Sequence, residues 1–303
     1  MARLIINADD FGLTRGVNHA VEELHRAGAL TSTTLMATGP AFDDAVEVAH
    51  ANPTLGVGCH IVLTDGLPVS TPESIPSLIG PDGKSFRPSL IDFLQALLRG
   101  KIREEDIRRE ALAQIQKLQG VGIKPTHLDT HKHTHLFPAI CRPLLNLAEQ
   151  NSIHAIRQPF EQQWSLALGH GKRLRRLEVK LLGGLKTRFE QQPQIRSHRI
   201  LSTDGTIGIS ATGNLYRETL HEILQGMPAE GTFELVCHPG YNDSDLDRIT
   251  TRLRAHRDIE RNALLAEIPA LALYPDTPQL IHYGDLSSHN AQQFTSSQQQ
   301  ARV

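Results

Sequence analysis

Cysteines and long apolar runs are scarce in this chain of 303 residues. Its three cysteines cannot form a disulfide framework, and their odd number argues against an oxidising compartment. No apolar run reaches the roughly 18 residues that a membrane span needs. The first apolar run, Leu4–Ile6, is too short for a signal peptide. We therefore expect a cytoplasmic protein.

Charge of one sign is also lacking. The chain has 31 Lys and Arg residues against 33 Asp and Glu residues, which gives a net charge of −2 with His neutral. Without a basic field the chain is not expected to bind nucleic acid. It also contains neither a G-x-G-x-x-G motif nor a P-loop, which argues against a nucleotide-binding enzyme.

Strand-like and helix-like runs alternate along the chain. Strands are predicted at 4–8, 31–38, 55–63, 125–133, 153–159, 231–238 and 279–284. Helices are predicted around Val17–Ala27 and Ile107–Leu118 and at 138–150 and 245–268. Such alternation indicates an α/β fold with mostly parallel strands, either a barrel or a doubly wound sheet.

One catalytic domain is expected over residues 1–285. The Pro-, Gly- and Ser-rich stretch 64–88 is predicted to be a long loop inserted in that domain, and 165–192 a second insertion. The polar stretch 286–303 is predicted to be a disordered tail. Residues 170–190 hold seven Lys or Arg against two Glu, with leucines at helical spacing. This segment is either a packed helix with a solvated basic face or a peripheral contact with a membrane surface, the inner membrane in a bacterium.

Two adjacent acidic residues follow the first strand-like run. Asp9 and Asp10 stand in the stretch NADDFG, where strand 1 ends and a helix begins a few residues later. The carboxyl ends of parallel strands are where α/β enzymes place their chemistry. One aspartate could instead cap the helix, and the sequence alone leaves both interpretations open.

His60 lies inside an apolar strand pattern, directly after Cys59. Neighbouring residues on a strand point to opposite faces, so these two side chains cannot easily share a metal ion. We therefore assign His60 to the site and Cys59 to the core.

Every second residue from position 127 to 135 is a potential metal ligand. The five are His127, Asp129, His131, His133 and His135. On one extended strand they would all face the same side, a pattern that is unusual for packing and typical of metal binding. One ion cannot accept all five, so some of them are expected to orient the true ligands.

Two more polar residues stand near the ends of strand-like runs. Arg157 lies near the end of the run 153–159, and His238 follows Phe233–Cys237. Since strand ends converge on one rim, both are expected beside the aspartates and histidines. His238 could protonate a leaving group, and Arg157 could pair with a carboxylate. The mixed nitrogen and oxygen donors suit Zn²⁺ or another transition ion, whereas Mg²⁺ prefers more oxygen.

Several of these stretches resemble the YdjC-like family of carbohydrate deacetylases. They are NADDFG (7–12), TSTT (31–34), GCHIVLT (58–64), PTHLDTHKHTHLFP (125–138) and CHPGY (237–241). The likeness covers about residues 1–285. The basic segment near 170–190 and TGNLYRETL (212–220) are similar to the branch associated with hopanoid biosynthesis.

The resemblance implies a distorted TIM-like (β/α) barrel, an acetylated amino-sugar substrate and one divalent metal ion, Mg²⁺ or Zn²⁺. It implies that Asp10, His60 and His131 hold the ion, which agrees with the spacing argument. By the same resemblance Asp9 is the general base, His238 is the acid and Arg157 steadies Asp9. The family varies at position 59, and if Cys59 reached the ion, the choice of metal would shift towards zinc.

Two other functions fit the same residues. A metal phosphoesterase also uses Asp and His, but usually with two ions about 4 Å apart. A non-catalytic metal- or sugar-binding module would need the histidines but neither Asp9 nor His238. The sequence leaves the oligomeric state open, with a homodimer among the options.

Overall fold

The computed structural model describes residues 1–168, 179, 182–249, 251–273 and 277–286. Within them, one parallel sheet forms the centre of the molecule. Its strands are β1 (Arg3–Phe11), β2 (Ser32–Leu35), β3 (Gly56–Ile61), β4 (Leu128–Thr130), β5 (Gly205–Ile207), β6 (Thr232–Cys237) and β7 (Gln279–Leu280).

The sheet is curled into a distorted α/β barrel. Its strands follow the order β4-β3-β2-β1-β6-β5, and β7 pairs with β1. Single parallel bridges continue from β4 towards β5, and they join Leu128 to Ile156, Ala155 to Leu201 and Glu161 to Thr206. The irregular segment 155–161 therefore lies between the two edge strands, and the predicted fold class is confirmed.

Helices surround the sheet. The described α-helices are α1 (Arg15–Arg26), α2 (Phe42–Ala51), α3 (Leu90–Leu98), α4 (Glu104–Gly120), α5 (Pro138–Gln150), α6 (Gln163–Leu168), α7 (Lys186–Glu190), α8 (Pro193–Arg196), α9 (Arg217–Gln225) and α10 (Ala255–Glu267). Short 3₁₀ helices occupy Pro72–Ser74, His131–Leu136, Gly183–Leu185, Leu246–Arg248, Pro269–Leu273 and Tyr283–Asp285.

Helix α1 shows how local chemistry sets an element. The Thr14 side chain accepts a hydrogen bond from the backbone N–H of Val17 at 3.1 Å, a cap worth about 1 kcal/mol. Val21 and Leu24 lie on the buried face, at the predicted helical spacing. The helix ends before Gly28, whose φ of 70° is a left-handed value that glycine adopts without strain.

The apolar core lies between the sheet and its helices, and it includes Cys59, as predicted. All three cysteines are buried free thiols. Gly58 stands where His127 packs against β3, and a Cβ atom at this position would overlap the His127 imidazole. Glycine is thus required in β3 for this histidine to be buried.

Several predicted elements were wrong in part. The strand 279–284 is observed only as Gln279–Leu280, before the 3₁₀ helix Tyr283–Asp285. The strand 125–133 stops at Thr130, because Lys132 and His133 have left-handed φ values of 55° and 51°. The strand 153–159 is reduced to single bridges, because its successive backbone groups bond to different neighbours. The helix 245–268 is observed only as α10, since the chain is extended at Ile249 after a short 3₁₀ turn.

Residues 64–88, predicted to be a long inserted loop, are tied to helix α4. Glu110 accepts hydrogen bonds from the backbone N–H groups of Val69 and Ser70, each at 2.9 Å. Asp106 accepts one from the N–H of Ser77 at 2.8 Å. One face of α4 therefore supplies carboxylates that replace a regular backbone ladder for this loop.

Two other predictions concern parts of the chain that are not described. Most of the basic segment 170–190 and residues 287–303 of the predicted tail lie outside the described residues. In the part of the chain that the structure does describe, none of the helices has the length and apolarity needed to cross a membrane.

Candidate functional site

Asp9 and Asp10 both reach the rim of the barrel, although the strand rule that separates Cys59 from His60 would also separate them. The pairing of β1 with β2 shifts register between Ala8 and Phe11. Asp10 has a left-handed φ of 66° at this irregularity. Irregularities of this kind re-aim side chains next to active sites, and aspartate tolerates the left-handed region better than most residues.

Asp10, His60 and His131 bring three donor atoms together at the carboxyl ends of β1, β3 and β4. Asp10 Oδ1 lies 3.6 Å from His60 Nε2 and 3.4 Å from His131 Nδ1. The two imidazole nitrogens are 3.4 Å apart. Asp10 and His60 are buried, whereas His131 is partly exposed and lies on the open side of the site.

Asp129 orients His60. Its Oδ1 lies 2.8 Å from His60 Nδ1, and since a carboxylate only accepts, Nδ1 is the donor and Nε2 faces Asp10 and His131. Burial lowers the pKa of His60, but the charge and hydrogen bond of Asp129 raise it to about 9. A proton and a cation would therefore compete for Nε2.

Arg157 is fully buried among three carboxylates. Its Nη1 and Nη2 lie 2.8 Å and 2.6 Å from the two oxygens of Asp9. Nη1 also lies 2.5 Å from Asp129, and Nε and Nη2 bond to Glu234 at 2.9 Å and 2.8 Å. Burial lowers the pKa of Arg157, but the three carboxylates raise it well above its usual value.

Glu234 and Tyr283 belong to this cluster, and sequence reasoning missed both. The Tyr283 hydroxyl donates to Glu234 at 2.6 Å, and burial raises the pKa of Glu234. A single acidic residue inside the apolar run Phe233–Cys237 was the available signal for Glu234. No sequence pattern pointed to Tyr283, because its contact with Glu234 depends on the pairing of β7 with β1.

His238 follows β6 and faces Asp9. Its Nε2 lies 3.8 Å from Asp9 Oδ2, and its side chain is 13% exposed, so it can be reached from the site. Glu260 of α10 accepts a hydrogen bond from the His238 backbone N–H at 2.6 Å and lies 4.0 Å from Nδ1. Glu260 therefore holds the segment that carries this imidazole.

Arg257, on the same buried face of α10 as Glu260, contacts the other aspartate. Its Nη2 donates to Asp10 Oδ2 at 2.6 Å. Burial raises the pKa of Asp10, but Arg257 and His131 together lower it well below its usual value. The helix lies in a stretch dense in charged residues, so the sequence did not single out Arg257 or Glu260.

Three of the predicted histidines lie away from these donors. His127 stacks on Tyr283 with ring centroids 3.8 Å apart, and burial lowers its pKa to about 3. His135 lies between Thr130 Oγ1, at 2.7 Å, and the Arg157 carbonyl, at 3.1 Å, and burial lowers its pKa to about 4. The His133 ring centroid lies 6.5 Å from that of His135. The chain turns at Lys132, after His127 and Asp129 and before His133 and His135, so the five alternating side chains do not share one face.

The donor set at Asp10 fits a divalent cation. Ligand atoms about 2.1 Å from a tetrahedral ion stand about 3.4 Å apart, which matches the three observed separations. A second group, Asp9, His60 and Asp129, also has donor atoms close together. Arg157 binds both oxygens of Asp9, and Asp129 is bound by Arg157 and His60, whereas Arg257 binds only Oδ2 of Asp10 and leaves Oδ1 facing the imidazoles. The cluster at Asp10 is therefore the better candidate for a metal centre.

Fold and site together define the class of this protein. It is an α/β-barrel protein with a cluster of aspartates and histidines at the carboxyl ends of its strands. The chain belongs to the YdjC-like protein family, whose sequence model matches residues 3–271. This confirms the family resemblance inferred from the sequence motifs.

Curated relatives and a solved structure support the assignment. A carbohydrate deacetylase of Brevibacillus brevis is 34% identical over 241 residues, which are 80% of this chain and 82% of the relative. A carbohydrate deacetylase of Thermoanaerobacter pseudethanolicus is 31% identical over 267 residues, 87% of this chain and 91% of the relative. A crystal structure from Enterococcus faecalis V583, of a protein proposed to cleave cellobiose phosphate, is 26% identical with a TM-score of 0.73, covering 94% of this chain and 98% of that one.

Proposed function

We propose that this protein is a divalent-metal-dependent deacetylase that hydrolyses the N-acetyl group of an amino sugar. The observation that carries the proposal is the convergence of Asp10, His60 and His131, with separations of 3.4–3.6 Å, beside an acid–base pair of Asp9 and His238. Two relatives that match most of this chain are carbohydrate deacetylases, which supports the reaction and the substrate class.

Asp10, His60 and His131 would hold the cation. One oxygen and two nitrogen donors favour Zn²⁺ or a similar transition ion, while Mg²⁺ would need further oxygen ligands. When bound, the ion supplies Lewis-acid polarisation of the acetamide carbonyl and of water.

Asp9 is proposed as the general base. Arg157 fixes both of its oxygens, so the carboxylate keeps one orientation towards His238. Asp9 accepts a proton from the water that attacks the acetamide carbon, and general bases contribute roughly 10²–10⁴-fold to rates. Asn7 also donates to Asp9 Oδ1 at 3.0 Å, which restricts it further.

His238 is proposed as the general acid. It donates a proton to the sugar nitrogen as the C–N bond breaks, so the products are acetate and a free amine. Its partly exposed ring can meet a substrate, and Glu260 keeps its backbone in place. The base lies on β1 and the acid directly follows the neighbouring strand β6, so both stand at the same rim.

An acetate-release assay tests the proposal. The purified protein is expected to release acetate from N-acetylglucosamine conjugates, to lose this activity with a chelator and to regain it with Zn²⁺ or Mg²⁺. The Asp9→Asn variant is expected to bind metal as tightly as the wild type and to release acetate at least ~100-fold more slowly. Full turnover in that variant would remove Asp9 from the role of base.

More specifically, the proposed substrate is a hopanoid lipid that carries N-acetylglucosamine. The similarity of the segments 170–190 and 212–220 to the hopanoid branch supports this choice. In this proposal the basic segment contacts an anionic membrane surface, so the protein is expected to bind anionic vesicles more weakly as salt rises. Vesicle sedimentation measures this, and the absence of binding at low salt would contradict the surface contact.

A further inference from the structure

Arg257 occupies one of the two carboxylate oxygens of Asp10 with a hydrogen bond. Its Nη2 lies 2.6 Å from Asp10 Oδ2, whereas Oδ1 faces His60 and His131. Both partners are buried, with side-chain exposures of 1% for Arg257 and 5% for Asp10. A carboxylate fixed in this way has only Oδ1 to offer to a cation.

The guanidinium is itself held in place. The Nε atom donates to the Leu253 carbonyl at 3.0 Å. The backbone carbonyl of Arg257 accepts a hydrogen bond from the backbone N–H of Gly240 at 3.2 Å. Its Cβ and Cδ pack closely over Gly240, where an added Cβ would come within 3.4 Å and 3.2 Å of them. Arg257 is therefore a rigid support that comes from α10, outside the strands that carry the donors.

We propose that Arg257 is a positioning residue that restricts Asp10 to coordination through one oxygen and thereby favours small transition ions over Ca²⁺. This inference rests on the proposed function, because it assumes that Asp10, His60 and His131 hold the cation. Ca²⁺ takes six to eight oxygen ligands and often uses both carboxylate oxygens, which Arg257 prevents here. Zn²⁺ accepts a single carboxylate oxygen with two imidazoles.

Two effects of Arg257 oppose each other, so the sign of the change on mutation is informative. The positive guanidinium lies close to the cation and repels it, which would make metal binding tighter when the charge is removed. Positioning has the opposite effect, since losing a group that orients a ligand typically weakens metal affinity by about 10–100-fold. We expect positioning to dominate, because Asp10 has a left-handed backbone conformation and an unheld side chain could turn.

The test is metal titration of Arg257→Met by calorimetry, with Zn²⁺, Co²⁺ and Ca²⁺ as probes. Affinity for Zn²⁺ is expected to fall about 10–100-fold, and the preference for Zn²⁺ over Ca²⁺ to narrow. The visible absorption of bound Co²⁺ is expected to change, because Asp10 can then bind through both oxygens. Arg257→Lys keeps the charge but lacks the planar fork of donors that bonds to both Leu253 and Asp10. Its Zn²⁺ affinity is expected to lie between those of the wild type and Arg257→Met.

Arg261→Met is the matched control. Arg261 lies one turn further along α10 and pairs with Glu23 and Asp258, so its replacement should leave metal affinity and the Co²⁺ spectrum unchanged. Unchanged or tighter Zn²⁺ binding by folded Arg257→Met, with an unchanged spectrum, would overturn the proposal. If circular dichroism shows that this variant does not fold, Arg257→Lys decides, and wild-type affinity and spectrum there would equally overturn it.

The proposed function can fail separately. A wild-type protein that binds none of the three ions contradicts the metal site itself. If the wild-type protein binds one of these ions and the Asp10→Asn variant does not, the metal site is supported, whatever the result for Arg257→Met. In that case an unaffected Arg257→Met contradicts only the inference about Arg257.

Discussion

Arg157 is a single buried cation that faces the carboxylates of Asp9, Asp129 and Glu234. Its planar guanidinium has five N–H donors and binds both oxygens of Asp9 as well as Asp129 and Glu234, whereas an ammonium group has only three donors. Three carboxylates surround this one guanidinium, and burial raises the pKa of Glu234 even though Arg157 and Tyr283 act in the opposite direction. Asp10, beside this cluster, pairs with Arg257 through Oδ2 and leaves Oδ1 facing His60 and His131.

We expect Arg157→Met to lose about 3–5 kcal/mol of unfolding free energy, because removing one partner leaves buried charges without compensation. Arg157→Lys should recover little of this loss, since it lacks the planar fork of donors. Urea denaturation followed by circular dichroism measures both. A Met variant within 1 kcal/mol of the wild type would contradict the role given to this cluster.

At single residues, the sequence was informative where ligand-type side chains end predicted strands. Strand ends pointed to the aspartate pair, to His60 and to the alternating stretch 127–135, and the family resemblance then narrowed these to Asp10, His60 and His131, whose donor atoms lie together in the structure. Arg257 and Glu260 were not predictable, because their only signal is position on the buried face of a helix rich in surface charges. Which of two adjacent aspartates faces the imidazoles depended on a register shift that a strand pattern does not contain.

At the scale of elements, helix α4 anchors the loop 64–88 through buried carboxylates. Asp106 bonds to Ser77 and Arg103, and these contacts overcome the effect of burial and lower its pKa below the usual 3.8. A group with a lowered pKa stabilises the folded state above its unfolded pKa. That contribution disappears as the pH falls through the folded value.

Asp106→Asn is therefore expected to lower the unfolding free energy by about 1–2 kcal/mol at neutral pH. The difference in unfolding free energy between this variant and the wild type should shrink as the pH drops below about 4, where the wild-type carboxyl becomes protonated and loses its charge. Urea unfolding at several pH values measures this. Glu105→Gln on the exposed face of α4 is the control and should change little, while a pH-independent difference for Asp106→Asn would contradict the assignment.

The stretch HLDTHKHTH shows where prediction of elements ended. Alternation correctly indicated a strand at Leu128–Thr130, but it cannot reveal that Lys132 and His133 adopt left-handed conformations. His135 then turns back to Thr130 and Arg157 and does not join the donors. Local patterns predict which residues are buried in a strand, but the point at which the chain turns is set by tertiary contacts.

At the scale of the whole molecule, the barrel depends on the segment that follows residue 276. Gln279 and Ile281 donate backbone hydrogen bonds to Ala2 and Leu4 at 2.9 Å and 3.0 Å. Ile281, Tyr283 and Leu286 pack with Ile5 in a small cluster of buried side chains. These residues follow the part of the chain matched by the family, which ends at residue 271.

A chain ended after residue 278 is expected to lose on the order of 5 kcal/mol, because three apolar side chains lose their buried positions and Glu234 loses its tyrosine partner. A chain ended after Leu286 keeps these contacts and should unfold at nearly the wild-type temperature. Calorimetric scans of the two truncations provide the comparison. Equal stability of the two would show that this segment does not support the barrel.

The buried charge cluster also constrains how the protein matures. Arg157 meets Asp9 across 148 positions of the chain and Glu234 across 77, so its partners emerge at very different times during synthesis. Contacts between such distant parts form slowly. A half-made chain has both aspartates but neither Glu234 nor Arg257, so we expect the proposed catalytic centre to form only after the barrel itself has been assembled.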